Sequence, residues 1–275
     1  MEIVVNDVSY YVEICGRGDP LLLLHGFTGS SETWKPFIPN WEKHFQMVMV
    51  DLLGHGKTAC PADVERYNIE RVAADLTTLL DQLGMKKAHV LGYSMGGRLA
   101  LTLAVKHPTY VQTLILESSS PGLKTEEERA MRRMQDEQLA SFIEQHGIEA
   151  FVERWENIPL FASHKKLPKA VREHLRHERL KNKVVGLANS LRGMGTGTQP
   201  SWWNHLTNLT MPTLLICGEE DEKFCRIAEE MVQLLPNGVI AHAKRAGHTI
   251  HLEQPEFFVK IVNEFIFKGG TSCGN

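Results

Sequence analysis

The chain has 275 residues, of which 43% are hydrophobic and 23% charged, so it is long enough to bury a full-size core. Its formal net charge of -3 gives no basic field, and neither nucleic acid nor a membrane surface is an expected partner. No run of about 18 apolar residues occurs, and the N-terminal stretch MEIVVNDVSYY has acidic residues where a signal peptide is basic. We therefore expect a soluble globular protein of the cytoplasm.

Cysteine usage agrees with a reducing compartment. The chain has five cysteines, an odd number, and no CxxC spacing connects them. This pattern favours free thiols over a disulfide framework or a zinc knuckle. The positions are Cys15, Cys60, Cys217, Cys225 and Cys273.

Short apolar runs alternate with helical patterns along most of the chain. Strands are predicted at 10–14, 21–25, 46–52, 88–94, 113–118, 213–218 and 238–243, and helices at about 69–83, 95–106, 223–235 and 255–267. Most of the strand runs are continuously apolar, which is typical of strands covered on both faces. The pattern predicts an α/β fold in which helices flank a mostly parallel central sheet.

The alternation stops between about residues 120 and 205. Two highly charged stretches in this region have amphipathic helical patterns, and no clear strand separates them. The interruption predicts a helical cap or lid at 120–205, inserted between two parts of the core at 1–119 and 206–268. The last residues, 269–275, are predicted to be a disordered tail.

The motif GYSMG, centred on Ser94, follows a predicted strand and begins a predicted helix. This is the G-x-S-x-G pattern, in which a tight strand-to-helix turn exposes a nucleophilic serine above a sheet. Glycines at 92 and 96 remove side chains that would clash in such a turn. The spacing therefore predicts a reactive hydroxyl rather than a serine in an ordinary turn.

A reactive serine needs a histidine and a carboxylate from elsewhere in the chain. Asp221 follows the strand predicted at 213–218, and His248 follows the strand predicted at 238–243. The order serine, aspartate, histidine, each just past the carboxyl end of a strand, is the one found in α/β-hydrolases. We therefore predict that Ser94, Asp221 and His248 form a catalytic triad.

Neighbouring residues offer alternatives for two of these positions. His251 competes with His248, although Gly247 favours His248 because a tight turn would project it. The carboxylates that compete with Asp221 are Glu219, Glu220 and Glu222.

The motifs LLLLHGF, VDLLGHG, LGYSMGG, CGEEDEKF and AGHTIHLEQP resemble the α/β-hydrolase superfamily over the whole chain apart from the lid. The resemblance implies an oxyanion hole formed by the backbone N–H groups of Phe27 and Met95, where negative charge on a substrate oxygen would be held. His25 either shapes the loop that carries Phe27 or is a packed structural residue.

Arg98 lies four residues after Ser94, one helical turn further on, so both side chains can face one cavity. A cation in the first turns of a helix opposes the helix dipole by about 0.3 to 1 kcal/mol, and burial adds a desolvation cost unless an anion is near. The position therefore favours a substrate carboxylate over a neutral ester. The alternative is an arginine paired with a local carboxylate.

The segments GYSMGGR, PGL before an arginine-rich helix, RWENIPLF and GEEDEKF together resemble the MenH family, 2-succinyl-6-hydroxy-2,4-cyclohexadiene-1-carboxylate synthases of menaquinone biosynthesis. The resemblance implies a lyase that eliminates pyruvate from a substrate with several carboxylates. Its substrate-binding residues would be Arg98, Arg132, Arg179, Trp155 and Tyr93. Other lid arginines, Arg129, Arg133 and Arg176, are candidates for further carboxylate contacts or for solvated helix faces.

The residues fit this chemistry, because a serine hydroxyl strengthened by an Asp–His pair, or the histidine itself, can abstract a proton from carbon. No metal or organic cofactor is required.

Two rival functions stay open. One is an ester or C–C bond hydrolase with an acyl-enzyme and few cations in its site. The other is a non-catalytic receptor or scaffold, a class that usually lacks a triad residue. The oligomeric state is not predicted.

Overall fold

The computed structural model describes residues 1–269 and contains an eight-stranded sheet. The strands are β1 (Glu2–Val5), β2 (Val8–Gly16), β3 (Asp19–Leu24), β4 (Phe45–Val50), β5 (Ala88–Tyr93), β6 (Val111–Glu117), β7 (Thr213–Gly218) and β8 (Gly238–Ala243). Their spatial order is β1-β2-β4-β3-β5-β6-β7-β8. β1 and β4 both pair antiparallel with β2, and every other neighbouring pair is parallel.

Helices cover both faces of the sheet. They are α1 (Ile38–Trp41), α2 (Ile69–Gln82), α3 (Met95–Lys106), α4 (Glu126–Trp155), α5 (Lys169–Leu180), α6 (Val184–Met194), α7 (Glu222–Leu234), α8 (Ile250–Glu253) and α9 (Pro255–Phe267). No helix among residues 1–269 combines the length and the apolar character needed to cross a bilayer. The predicted α/β fold with a mostly parallel sheet is confirmed.

The apolar run of β3 shows why the parallel strands lack a polar face. Leu22 and Leu24 pack into one hydrophobic cluster, whereas Leu21 and Leu23 pack into a second cluster on the opposite side. All four are fully buried. Alternate residues of a strand point to opposite faces, so a strand covered on both sides reads as continuously apolar.

The sequence analysis did not predict β1, since its first strand was placed at 10–14. The structure places a turn at Asn6 and Asp7, whose φ angles are 46° and 67°. Asn and Asp tolerate this left-handed region better than most side chains, and two such residues in succession form a tight hairpin. The turn lets β1 fold back onto β2 at the edge of the sheet.

Between β6 and β7 the chain forms helices α4, α5 and α6, with no strand. Gly147, at φ 79° and ψ 178°, interrupts α4. These helices enclose a small apolar cluster of their own: Ala140, Ile143, Phe151, Val152, Leu187, Ala188 and Leu191. The helical insertion is therefore present, and the division of the chain at 120 and 205 stays a prediction. Almost all of the tail predicted at 269–275 lies outside the described residues.

Candidate active site

Ser94 occupies the turn between β5 and α3, with φ 51° and ψ -107°. This left-handed backbone costs energy for a residue with a side chain, and such strain clusters at functional sites. The flanking glycines permit the turn. A Cβ at Gly92 would lie 2.3 Å from the Gly96 carbonyl oxygen, and one at Gly96 would lie 2.2 Å from the Leu24 carbonyl oxygen. The predicted steric reason for both glycines therefore agrees with the structure.

His248 connects Ser94 to Asp221. Its Nε2 lies 3.0 Å from Ser94 Oγ, and its Nδ1 lies 2.7 Å from Asp221 Oδ2. The His248 side chain is 1% exposed and that of Asp221 9%, so water competes weakly for these bonds. With Nδ1–H donating to the carboxylate, Nε2 is free to accept the hydroxyl proton of Ser94.

The two loops that carry Asp221 and His248 touch through their backbones. A Cβ at Gly218 would lie 2.2 Å from the Gly247 carbonyl oxygen, so only glycine allows this approach. The amide of Glu220 also donates to the Ala246 carbonyl, at 2.9 Å. Gly247 does not have the positive φ of a tight turn, contrary to our reasoning. A Cβ there would instead lie 2.4 Å from Ser163 Oγ, so a side chain at 247 would have to displace Ser163 of the insertion.

Two of the competing residues have other partners. His251 is buried and pairs with Glu117, whose Oε2 lies 2.8 Å from His251 Nδ1. Glu220 accepts from the ammonium of Lys166 at 2.6 Å. The structure therefore brings Asp221 and His248, rather than these neighbours, to the serine.

Phe27 and Met95 line the same cavity as Ser94. Within residues 1–269 neither backbone N–H donates to a backbone or side-chain acceptor, so both are available to a ligand. His25 anchors the first loop: it accepts from the Leu52 amide at 2.9 Å, so its Nδ1–H donates to the Gly26 carbonyl at 2.8 Å. Burial lowers the pKa of His25 to about 4, which keeps the ring neutral in this role. Of the two readings of His25, the structure favours loop shaping.

Arg98 reaches the cavity without a carboxylate partner among the described residues. Its Nη1 donates to the Met194 carbonyl and to Gln199 Oε1, each at 2.8 Å. Burial and then the neighbouring Arg132 cation lower the pKa of Arg98 to about 10, so it stays charged at neutral pH. The local ion pair that we considered as an alternative is not formed.

The cavity around Ser94 has a volume of about 210 Å³ and is lined by three cations, Arg98, Arg132 and Lys223, with no Asp or Glu among its lining residues. Arg132 binds Asp136 through Nε alone, at 2.7 Å, and its side chain is 37% exposed. Lys223 was missed, although it lies two residues beyond Asp221 in a motif that we quoted. The sequence could have indicated it, because Lys223 is a cation in the first turn of the helix predicted directly after Asp221.

Trp155 forms part of the wall of this cavity. Its ring packs against Phe27 and Phe161, with centroid distances of 5.4 and 5.7 Å. The indole Nε1 is buried and has no hydrogen-bond partner in the part of the chain that the structure describes. An unpaired buried donor is costly unless a ligand or water accepts from it.

The structure does not bring Arg179 into the cavity of Ser94. Arg179 lines two adjoining cavities behind Phe161, and its guanidinium lies 5.1 Å from the centroid of that ring. Tyr93 borders both sides, since it lines the Ser94 cavity and one of those behind it. The Tyr93 hydroxyl is 2.9 Å from Thr249 Oγ1, and burial raises its pKa above the usual range.

The remaining lid arginines pair on the surface. Arg129 and Arg133 both bind Glu126, at 2.8 and 2.6 Å, and Arg176 binds Glu156. None of the three lines the Ser94 cavity. The solvated-face reading fits them.

A family model described as the alpha/beta hydrolase fold matches residues 19–255, and the chain is therefore an α/β-hydrolase-fold protein. It is 48% identical, over 97% of this chain and 98% of the relative, to a Bacillus subtilis (strain 168) protein provisionally named 2-succinyl-6-hydroxy-2,4-cyclohexadiene-1-carboxylate synthase. It is 30% identical to the synthase of that name from Pectobacterium atrosepticum, over 90% of this chain and 93% of the relative. The chain belongs to this synthase family. The solved structure of MenH from S. aureus matches with a TM-score of 0.90 and 35% identity, covering 94% of this chain and 98% of the other.

Proposed function

We propose that the protein is a lyase of menaquinone biosynthesis. It eliminates pyruvate from 2-succinyl-5-enolpyruvyl-6-hydroxy-3-cyclohexene-1-carboxylate and yields 2-succinyl-6-hydroxy-2,4-cyclohexadiene-1-carboxylate. The observation that carries the proposal is the joint presence, in one cavity, of the Ser94 hydroxyl and three cations with no carboxylate. Such a cavity suits a substrate with several carboxylates.

The reaction begins with removal of a proton from the ring carbon beside the succinyl ketone. His248 Nε2 accepts the hydroxyl proton of Ser94 across 3.0 Å, and the Ser94 oxygen takes the carbon-bound proton. Asp221 holds the ring of His248 in the required tautomer and stabilises its positive charge. In an alternative form of this step, His248 abstracts the carbon-bound proton directly, and the Ser94 hydroxyl only orients the substrate.

The negative charge then moves onto the ketone oxygen, where the N–H groups of Phe27 and Met95 stabilise it. Collapse of this enolate forms the ring double bond, shifts the existing one and expels the enolpyruvyl oxygen. The leaving group becomes pyruvate when it takes up a proton. The atoms balance without a metal or organic cofactor.

Arg98 and Arg132 approach the cavity from the core and from the lid, respectively. Two carboxylates of one substrate could therefore bind to two parts of the fold. This arrangement would fix the reacting carbon against Ser94, and positioning of this kind accounts for a large part of enzymatic rate enhancement. Trp155 would contribute its free N–H and a flat apolar wall.

A hydrolase with an acyl-enzyme is the second candidate, because it would use the same triad. It has less need for a cavity lined by cations, and a neutral ester would leave the half-buried Arg98 guanidinium without a carboxylate in contact. A cytoplasmic location and a small-molecule partner, without nucleic acid, complete the proposal. The net charge of -3 and the free cysteines among the described residues support it.

The test is incubation with the enolpyruvyl substrate while pyruvate release is followed. Ser94→Ala, Asp221→Asn and His248→Ala should each lower kcat by at least about 10³-fold with modest change in KM, because the three residues act as one unit. Arg133→Ala, whose side chain is 43% exposed and does not line the cavity, is the control and should leave kcat unchanged. Near-normal pyruvate release by any triad variant would refute the assignment. Fast turnover of p-nitrophenyl esters without pyruvate release would favour the hydrolase.

A further inference from the structure

A second group of reactive side chains lies behind the loop that carries Asp221. The sulfur atoms of Cys217 and Cys225 and a ring nitrogen of His242 all lie within 4.8 Å of one another. Cys217 Sγ is 3.4 Å from His242 Nδ1. None of these residues lines the cavity of Ser94, and the proposed reaction does not use them.

The fold brings these side chains together from three elements. In the parallel pairing of β7 with β8, Cys217 lies directly beside His242. Cys225 belongs to the first turns of α7, which packs over these two strands, and its thiol donates to the Gly218 carbonyl at 3.1 Å. Proximity in sequence does not explain the grouping, because 16 residues separate Cys225 from His242. Strand register brings these side chains together.

The group is open to solvent on one side. Cys217 is fully buried, Cys225 is half-buried and His242 is exposed. Cys225 and His242 line a surface cavity of about 340 Å³ whose other lining residues are Glu219, Glu222, Glu229 and Arg226. An ion could therefore enter from solvent, and a carboxylate oxygen or a water molecule could complete its coordination.

Two thiols and an imidazole are the ligands that Zn²⁺ and similar thiophilic ions prefer. Zn–S bonds of about 2.3 Å and Zn–N bonds of about 2.0 Å in a tetrahedron place sulfur and nitrogen about 3.5 Å apart, and two sulfurs about 3.8 Å apart. The observed 3.4 Å separation of Cys217 Sγ from His242 Nδ1 already fits. Since the other pairs lie within 4.8 Å, they require a shift of about 1.3 Å at most.

We propose that Cys217, Cys225 and His242 form a binding site for a thiophilic divalent metal ion, with Zn²⁺ as the first candidate. Binding displaces the two thiol protons to solvent, and an oxygen from the rim of the cavity or from water fills the fourth position. The ion has no part in the elimination reaction. Since Cys217 and Cys225 flank the segment 218–224, it would join β7, β8 and α7 around the loop that holds Asp221.

The full-length protein, stripped with a chelator and kept reduced, is titrated with Co²⁺ as a spectroscopic probe. One equivalent should produce a sulfur-to-cobalt charge-transfer band and the intense visible absorption of a tetrahedral site. Zn²⁺ should then displace the cobalt and raise the Tm. Absence of the charge-transfer band in the wild-type protein would overturn the proposal.

Cys225→Ser and His242→Gln keep the core residue Cys217 and test the site directly. Each should weaken binding by more than about 100-fold, because loss of a residue that merely supports a metal ligand costs about 10- to 100-fold. Each should also abolish the Zn²⁺-dependent rise in Tm while metal-free pyruvate release stays normal. Cys15→Ser and His44→Gln change a thiol and an imidazole elsewhere and should bind metal like the wild type.

Two further outcomes would also refute the site. Binding that is unchanged in Cys225→Ser and His242→Gln would place the ion elsewhere. A cobalt spectrum without sulfur character, lost in His248→Ala, would place it at the catalytic histidine.

Discussion

At the scale of single residues, Arg98 is the residue whose surroundings bear most directly on the proposed substrate. Its guanidinium donates to a backbone carbonyl and to a neutral amide, and a second cation, Arg132, lowers its pKa further after burial has done so. A half-buried cation beside another cation is unfavourable, and the Asp136 carboxylate offsets only part of this cost because the pKa of Arg98 stays lowered. Under the proposed function, a bound substrate carboxylate would remove this electrostatic cost.

We expect Arg98→Ala to lose about 2 to 5 kcal/mol in kcat/KM, the range for truncating one partner of a buried charge pair. Lysine should rescue only part of the loss, since it lacks the two-pronged fork that matches a carboxylate. Urea denaturation should show a folded protein of at least normal stability. Full activity combined with early melting would instead make Arg98 a structural residue.

Two buried histidines beside the oxyanion loop should make the protein sensitive to acid. Burial lowers the pKa of His25 to about 4 and, with the neighbouring His25 as a smaller cause, that of His55 to about 3. An unfolded histidine titrates near 6.5, so unfolding takes up protons below that pH. Above pH 6.5 both histidines are neutral in either state, and the free energy of unfolding then decreases as the pH falls from 6.5 towards about 4 for His25 and about 3 for His55.

The variant His55→Phe tests this sign. Its free energy of unfolding should fall less steeply than that of the wild type between pH 6 and 5, by up to about 1.4 kcal/mol per pH unit, the value for one proton. Urea denaturation at several pH values measures the slope. Equal slopes in the wild type and in His55→Phe would contradict the prediction.

At the scale of elements, the site depends on how closely the loops after β7 and β8 approach. The carbonyl oxygens of Ala246 and Gly247 leave no space for a side chain at Gly218. Gly218→Ala should therefore separate Asp221 from His248. We expect kcat to fall by about 100-fold, as for a misplacement of about 1 Å, and stability to fall by about 1 to 3 kcal/mol.

Gly84→Asn provides the matched control for this change. A Cβ at Gly84 would meet no atom within 4 Å, and asparagine tolerates its φ of 71°. Both kcat and the urea midpoint should stay near wild type in this variant. If Gly218→Ala lost stability but kept its kcat, the loop approach would not determine the geometry of the triad.

The sequence predicted the elements of the core well because their signals are local. The apolar runs located the later strands, and the helix predicted at 95–106 coincides with α3. The hairpin turn at Asn6 and Asp7 was missed together with β1, because no strand was predicted before residue 10. The order of strands and the lid geometry depend on long-range packing, which apolar periodicity does not encode.

The candidate site follows the same division. Ser94, Asp221 and His248 each follow a strand, so their convergence was predictable from the parallel sheet. The position of Arg179 behind Phe161 was not, because it depends on how the lid packs. The grouping of Cys217 with His242 arises from strand register, which no spacing rule for metal ligands would detect.

At the scale of the whole molecule, the lid helices differ in how closely they pack: α6 packs tightly on the core, whereas α5 is mostly exposed or half-buried. In α6, Gly186 packs so closely on the loop after β4 that a Cβ would lie 2.1 Å from the Gly54 carbonyl oxygen. In α5, by contrast, Arg179 is the only buried residue. Resistance to local opening rises with buried contacts, so these two helices of one insertion should differ in stability.

Hydrogen exchange should resolve this difference in the free protein. We expect the amides of α5 to exchange fastest among the lid helices and those of α6 to be protected nearly as well as α3, because α6 shares backbone contacts with the core. Mass spectrometry of peptides covering 169–180 and 184–194 measures both.

Leu175→Gly tests the difference at a half-buried position of α5. Glycine lowers helix stability by about 1 kcal/mol, so this variant should speed exchange in α5 alone. Equal protection of α5 and α6 would mean that the lid opens as one unit. Access to Ser94 would then require movement of the whole insertion and not of α5 alone, the helix that lies beside Phe161.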